Sequence, residues 1–81
     1  MEQTINERWL QFGYINAKGN LTKTALKIPF HTDLRVDQEI NIEISGHNYT
    51  FTCVREETVS NNSDTVDKIY VVATNHQWWN T

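Results

Sequence analysis

Three histidines and one cysteine are the side chains in this 81-residue chain whose types suit metal binding or nucleophilic catalysis. His31, His47 and His76 lie sixteen and then twenty-nine positions apart, so no two of them have the short i, i+2 or i, i+4 spacing that brings imidazoles to one metal ion. Cys53 alternates with aromatic residues, which is typical of a small apolar side chain in a core. The sequence therefore predicts no metal, no cofactor and no catalytic thiolate.

The carboxylates also lack an arrangement for acid/base catalysis. Glu56 and Glu57 are neighbours in a predicted strand, so their side chains point to opposite faces. Asp64 and Asp67 fall in the polar segment 58–67, which we expect to be a long loop. A glycine-rich phosphate loop, a nucleophile elbow and a calcium loop are all absent from the sequence. We therefore predict that the protein is not an enzyme.

Lys18, Lys23 and Lys27 form a concentrated basic group. If their segment is a strand, Lys23 and Lys27 share its outer face about 13 Å apart, near the spacing of two phosphates along a single nucleic-acid strand. Trp9 or Tyr14 on a neighbouring strand would supply stacking surface for bases. The simpler interpretation is that these lysines keep an edge strand from pairing with other sheets.

Two adjacent tryptophans, Trp78 and Trp79, stand in the polar C-terminal stretch NHQWWNT. Adjacent residues of an extended chain point in opposite directions, so we expect one indole to cover the small core and the other to face outward. An exposed tryptophan is a typical anchor in protein interfaces. This pair is therefore the predicted partner-binding site.

Composition and charge restrict the class of protein. Hydrophobic residues make up 38% of the chain and the net charge is −3, which fits a globular domain better than a dedicated nucleic-acid binder. Residues 1–35 carry five basic and three acidic side chains, whereas residues 36–81 carry two basic and seven acidic ones. There is no secretory signal or membrane-spanning run, and a single cysteine suits a reducing compartment. We expect a soluble cytoplasmic protein.

Alternating polarity predicts five short strands. The aromatic-rich stretch 8–16 is followed by the turn signal AKGN, and the alternating stretch 21–30 contains Pro29, which indicates a sheet edge. The isoleucines of EINIEI alternate with polar residues up to the glycine turn SGHN, after which a second alternating run begins, as in a hairpin. The fifth strand is KIYVVATN. Leu34 and Val36, in the connection before the hairpin, are expected to contact the core.

These strands predict an all-β fold, since no segment has the sustained 3.6-residue periodicity of a long helix. The expected architecture is a small five-stranded antiparallel barrel or curled sheet. An SH3-like barrel fits the connection lengths better than an OB-like barrel, which usually has a helix between its third and fourth strands. We predict one domain spanning residues 1–81, with a loose start at residues 1–7 and a tryptophan-containing tail at residues 76–81.

The run LRVDQEINIEISGHNYTFTCV resembles the strand, glycine turn and strand of small β-barrel connector proteins of tailed phages. This resemblance implies a small accessory or assembly protein and transfers no functional residue. The first hypothesis is a non-enzymatic protein-binding or assembly module, which docks on a protein partner or a second copy through an exposed strand edge and the C-terminal tryptophans. The alternative is a weak single-stranded nucleic-acid-binding barrel that uses Lys18, Lys23 and Lys27.

Overall fold

The computed structural model describes residues 3–75, and their regular structure is entirely β-strand. The strands are β1 (Thr4–Ile15), β2 (Leu21–Pro29), β3 (Glu39–Ile44), β4 (His47–Ser60) and β5 (Thr65–Thr74). The predicted all-β class and the number of strands are confirmed, although β1 begins within the stretch expected to be a loose start. Within the described range, no helix has the length and apolar character needed to cross a membrane.

The five strands form one open, mixed sheet in the order β2-β1-β5-β4-β3. β1 lies between β2 and β5 and pairs with β5 in parallel, whereas the other three pairings are antiparallel. The predicted closed barrel is therefore wrong, because β2 and β3 remain as two separate edges, and the prediction of purely antiparallel pairing is wrong for β1 and β5. The sheet is curled, since Lys23 Nζ on β2 lies 3.2 Å from Glu57 Oε2 on β4, across two intervening strands.

β5 occupies the centre of the sheet because both of its faces are apolar. Tyr70 and Val72 belong to one face, whereas Ile69, Val71 and Ala73 belong to the other, and all five are buried. A continuous apolar run is the pattern of a strand covered on both sides, which is the setting in which parallel pairing is common. The sequence IYVVA thus contained a signal for a central strand that alternation does not reveal.

We call the side of the sheet that carries Tyr70 and Val72 the core face. Its buried cluster consists of Leu10, Phe12, Leu34, Phe51, Cys53, Tyr70 and Val72. The rings of Phe12 and Phe51 meet edge to face with their centroids 5.1 Å apart, an arrangement worth about 0.5–1.5 kcal/mol beyond the burial of area. The expectations that Leu34 and the cysteine lie in the core are confirmed.

Two connections differ from the sequence-based expectation. Val36 is 52% exposed instead of contacting the core. The next residue, Asp37, has φ 75° and its N–H donates to the Cys53 carbonyl at 2.7 Å, so the loop joins β4 through its backbone while Val36 points away. The segment 58–67 is mostly strand, because β4 and β5 extend into it and leave only residues 61–64 as a connection.

β2 contains a bulge that interrupts its alternation. Between Lys23 and Lys27, β2 has three residues where β1 has one. The hydroxyl of Thr24 fills the gap by donating to the Phe12 carbonyl at 3.0 Å. Alternation along β2 would place Leu26 on the core face. Because of the bulge, Leu26 is instead 43% exposed.

Candidate binding surfaces

The two free edges of the sheet differ in their capacity to accept another strand. On the β2 side, the Phe30 N–H donates to the Arg8 carbonyl at 2.9 Å, so the backbone nitrogen of the preceding residue, Pro29, faces away from β1. Proline offers no N–H to the open edge, and the bulge interrupts the remainder of this strand. β2 is therefore a poor template for strand addition, and the prediction that Pro29 marks a sheet edge is confirmed.

The backbone of β3 is oriented by its hairpin with β4. Ser45 and Gly46 form a two-residue turn with φ 53° and 81°, the positive values of a type I′ turn. Such a turn makes the flanking residues, Ile44 and His47, a hydrogen-bonded pair. At the other end, the Gln38 carbonyl accepts an N–H from β4 at 2.9 Å. The even-numbered residues of β3 therefore direct their main-chain groups toward β4.

The main-chain groups of the odd-numbered residues of β3 therefore face its outer edge. Glu39, Asn41 and Glu43 present their N–H and C=O groups to a position that no described residue occupies. β3 has no proline, lysine or bulge to protect this edge, so the charges of Glu39 and Glu43 are its remaining protection. We call this row of main-chain groups the β3 edge, and it can pair with an extended segment.

The two faces of β3 differ in chemistry. Ile40, Ile42 and Ile44 are half-buried and pack against the core face, so their outer sides remain open to an added strand. Glu39 and Glu43 point to the opposite face, and neither takes part in the four ion pairs found among residues 3–75. A depression of about 620 Å³ adjoins Glu39 on this side. The β3 edge is therefore apolar on one face and acidic on the other.

We call the side of the sheet opposite the core face the lysine face, because Lys23 and Lys27 both point to it. Lys23 and Arg55 bind the same carboxylate oxygen of Glu57, at 3.2 and 2.8 Å. The hydrogen bond from Lys23 is the largest cause that holds the pKa of Glu57 below its ordinary value. The bulge places Lys23 and Lys27 opposite residues two apart on β1, so their backbones lie about 7 Å apart along the strand, not the predicted 13 Å.

The other two lysines have different surroundings. Lys27 Nζ lies 5.6 Å from the centroid of the Trp9 ring, a cation–π contact on the lysine face. Lys18 is exposed in the turn between β1 and β2, where its backbone N–H donates to Asn16 Oδ1 at 2.9 Å. The structure thus brings Lys23, Lys27 and Trp9 to one face, but Lys23 is already paired with a carboxylate that it shares with Arg55.

A polar cluster that the sequence analysis missed fixes the loop between β2 and β3. Arg8 Nε donates to Asp33 Oδ1 at 2.8 Å, and the Tyr70 hydroxyl donates to the same oxygen at 3.0 Å. The Tyr70 hydrogen bond, followed by the charge of Arg8, lowers the pKa of Asp33. A tyrosine within an apolar central strand needs a partner for its hydroxyl, and this was the signal available in the sequence. The cluster ties the loop to β1 and β5.

The candidate catalytic and metal-binding residues are not brought together. Cys53 is fully buried, and burial is the main cause that raises the pKa of its thiol, so the reactive thiolate is disfavoured. His31 and His47 are exposed in different parts of the chain. Residues 3–75 contain no group of three or more histidine, cysteine or acidic side chains that could hold a metal ion.

The predicted partner-binding residues, Trp78 and Trp79, lie outside the described residues, as does His76. Asn75, the last described residue, lines the same depression of about 620 Å³ as Glu39.

Comparison of the chain with models of known protein families, with curated proteins and with solved structures gives no match. The function is therefore inferred from the strand edges, charges and contacts of the described residues.

Proposed function

We propose that the protein is a non-enzymatic binding or assembly module that docks on another protein by adding a strand at the β3 edge. The observation that carries this proposal is the contrast between the two sheet edges, since β2 has a proline and a bulge whereas β3 has neither and carries only the charges of Glu39 and Glu43. In strand addition, main-chain hydrogen bonds supply affinity, and alternate side chains supply specificity. Both requirements are met at β3.

We propose that the tryptophans of the tail supply a second contact with the partner. Trp78 and Trp79 follow Asn75 by only three and four residues, and Asn75 lines the depression that adjoins the β3 edge. Four extended residues reach about 13 Å, so an indole of the tail can contact a strand docked on β3. A large aromatic beside a strand edge is a typical anchor for a partner.

The alternative function, binding of single-stranded nucleic acid, has weaker support. Trp9 and Lys27 do share one face, as a stacking surface requires. Lys23, however, is held by the carboxylate of Glu57, which also binds Arg55, so two of the cations on this face already share one carboxylate. A phosphate would have to displace that carboxylate.

Substitution of Asn41 tests the role of the β3 edge. The Asn41 side chain accepts a hydrogen bond from Thr50 at 2.8 Å, which Asn41→Ala and Asn41→Pro both remove. Only proline also removes the outward N–H, and the pairing with β4 is preserved because that N–H is not part of it. We expect the wild type and Asn41→Ala to enrich extended peptides from a random display library, and Asn41→Pro to enrich them at least about tenfold less.

Thermal unfolding establishes that the Asn41 variants are folded, and light scattering over a wide concentration range shows whether a second copy competes for the same edge. Trp78→Ala and Trp79→Ala are expected to weaken peptide capture more than they lower the unfolding temperature. Equal enrichment by folded Asn41→Pro and Asn41→Ala would overturn the proposal, as would a monomeric wild type that enriches nothing.

A further inference from the structure

The chemistry of the β3 edge specifies what kind of strand it accepts. Glu39 and Glu43 point to the lysine face, and the ion pairs among residues 3–75 leave both carboxylates without a cation. Between them, Asn41 is polar and accepts the hydrogen bond from Thr50. On the core face, Ile40 and Ile42 are half-buried. An added strand therefore meets acid, polar and acid on one face and an apolar row on the other.

Building on the proposed function, we infer that the partner segment is an extended basic strand with two cationic residues four positions apart and apolar residues between them. Residues i and i+4 of an added strand lie on the same face, so cations at these positions stand opposite Glu39 and Glu43. The residues at i+1 and i+3 then cover the isoleucines on the core face. This pattern reads the same in both chain directions, so it fits a parallel or an antiparallel partner.

The depression beside Glu39 adds room for one of these cations. It has a volume of about 620 Å³ and is lined mainly by small and polar side chains, including Thr50 and Thr52 of β4. The part of this lining that lies next to an added strand is Glu39 itself, with Thr50 and Thr52 on the adjacent strand β4, so the charged end of a lysine or arginine has room to reach Glu39. A carboxylate opposite Glu39 would instead add a like charge.

A second copy of β3 is a poorer occupant for the same reason. Antiparallel self-pairing centred on Asn41 places Glu39 directly opposite Glu43, and pairing centred on Glu43 places that residue opposite itself. The register centred on Ile42 has no direct acidic pair, but it still gathers four glutamates without a cation. The net charge of −3 per chain adds further repulsion between copies.

The test uses a fluorescently labelled, end-capped peptide with the core Lys-Val-Thr-Val-Lys and a matched peptide in which both lysines are glutamates. Fluorescence anisotropy of each peptide is measured with the full 81-residue protein at low and moderate salt. We expect the basic peptide to bind at least about tenfold more tightly, with affinity falling as salt rises. Glu39→Gln and Glu43→Gln should each weaken it about two- to fivefold.

Glu7→Gln is the matched control, because it makes the same change in net charge on an exposed residue of β1 and should leave binding unchanged. The double variant Glu39→Lys/Glu43→Lys should reverse the preference and bind the acidic peptide better. Equal binding of the two peptides, equal effects of Glu7→Gln and Glu43→Gln, or a β3-dependent dimer that excludes both peptides would overturn this inference. If the basic-strand inference fails in this way but Asn41→Pro still reduces the capture of library peptides, the proposed strand addition at the β3 edge remains supported.

Discussion

The carboxylate of Glu57 joins two cations on the lysine face and closes the curl of the sheet. Its Oε2 lies 3.2 Å from Lys23 Nζ on the edge strand β2 and 2.8 Å from Arg55 on β4. The contact spans β1 and β5, and Val71 of β5, on the same face, is fully buried. The same side chain therefore limits access of an anion to Lys23 and holds the outer strand of the sheet in place.

Stability should depend on pH through this carboxylate. The hydrogen bond from Lys23 lowers the pKa of Glu57 below its ordinary value of 4.5, so the unfolded chain binds the proton more readily. The contribution to stability is present above about pH 4.5 and is lost as the pH falls through the lower pKa of the folded state. We expect Glu57→Gln to reduce the free energy of unfolding by up to about 1 kcal/mol near pH 7 and by progressively less in acid.

Urea unfolding of the wild type and Glu57→Gln between pH 3 and pH 7 measures this difference, with Glu7→Gln as the control for loss of one exposed carboxylate. A difference that stays constant down to pH 3, or one that grows in acid, would show that Glu57 does not act through its ionised form.

The hairpin of β3 and β4 is the element that the sequence predicted best. Alternation defined both strands, and the glycine of SGHN located the turn, because a tight hairpin needs positive φ and glycine adopts it without strain. The bulge of β2 was not predictable in this way. It depends on Thr24 reaching the Phe12 carbonyl of the adjacent strand, and that neighbour is known only once the strands are paired.

The turn of this hairpin can be made more stable, because its first central residue is not the preferred one. Ser45 holds φ 53° at the first central position of a type I′ turn, where asparagine is preferred. Ser45→Asn should therefore raise the free energy of unfolding by about 0.5 kcal/mol and leave the β3 edge unchanged. Thermal unfolding measures the gain, with Ser45→Ala as the control. A loss of stability in the asparagine variant would argue against the type I′ geometry.

The arrangement of the whole sheet was only partly predictable. The strands, the core positions of Leu34 and Cys53 and the edge at Pro29 follow from local patterns. The parallel pairing of β1 with β5 joins residues about sixty positions apart, such as Thr4 and Thr65, and alternation is the same for parallel and antiparallel neighbours. Because this pairing decides which strands become edges, the sequence analysis pointed to an exposed edge without identifying β3.

Hydrogen exchange across the whole molecule tests this arrangement and the direction of the β3 backbone together. The amides of Val71 and Val72, in the central strand, should exchange most slowly, because they open only with the entire sheet. Within β3, the amides of Asn41 and Glu43 should exchange much faster than that of Ile42, since the first two face the open edge and the third faces β4. Residue-resolved exchange by NMR measures these rates in the isolated protein.

Equal protection of Asn41 and Ile42 would mean that the β3 edge is already covered, either by another part of the chain or by a second copy. Dilution distinguishes these two cases, because a cover provided by a second copy is lost as the concentration falls, whereas a cover provided by the same chain persists.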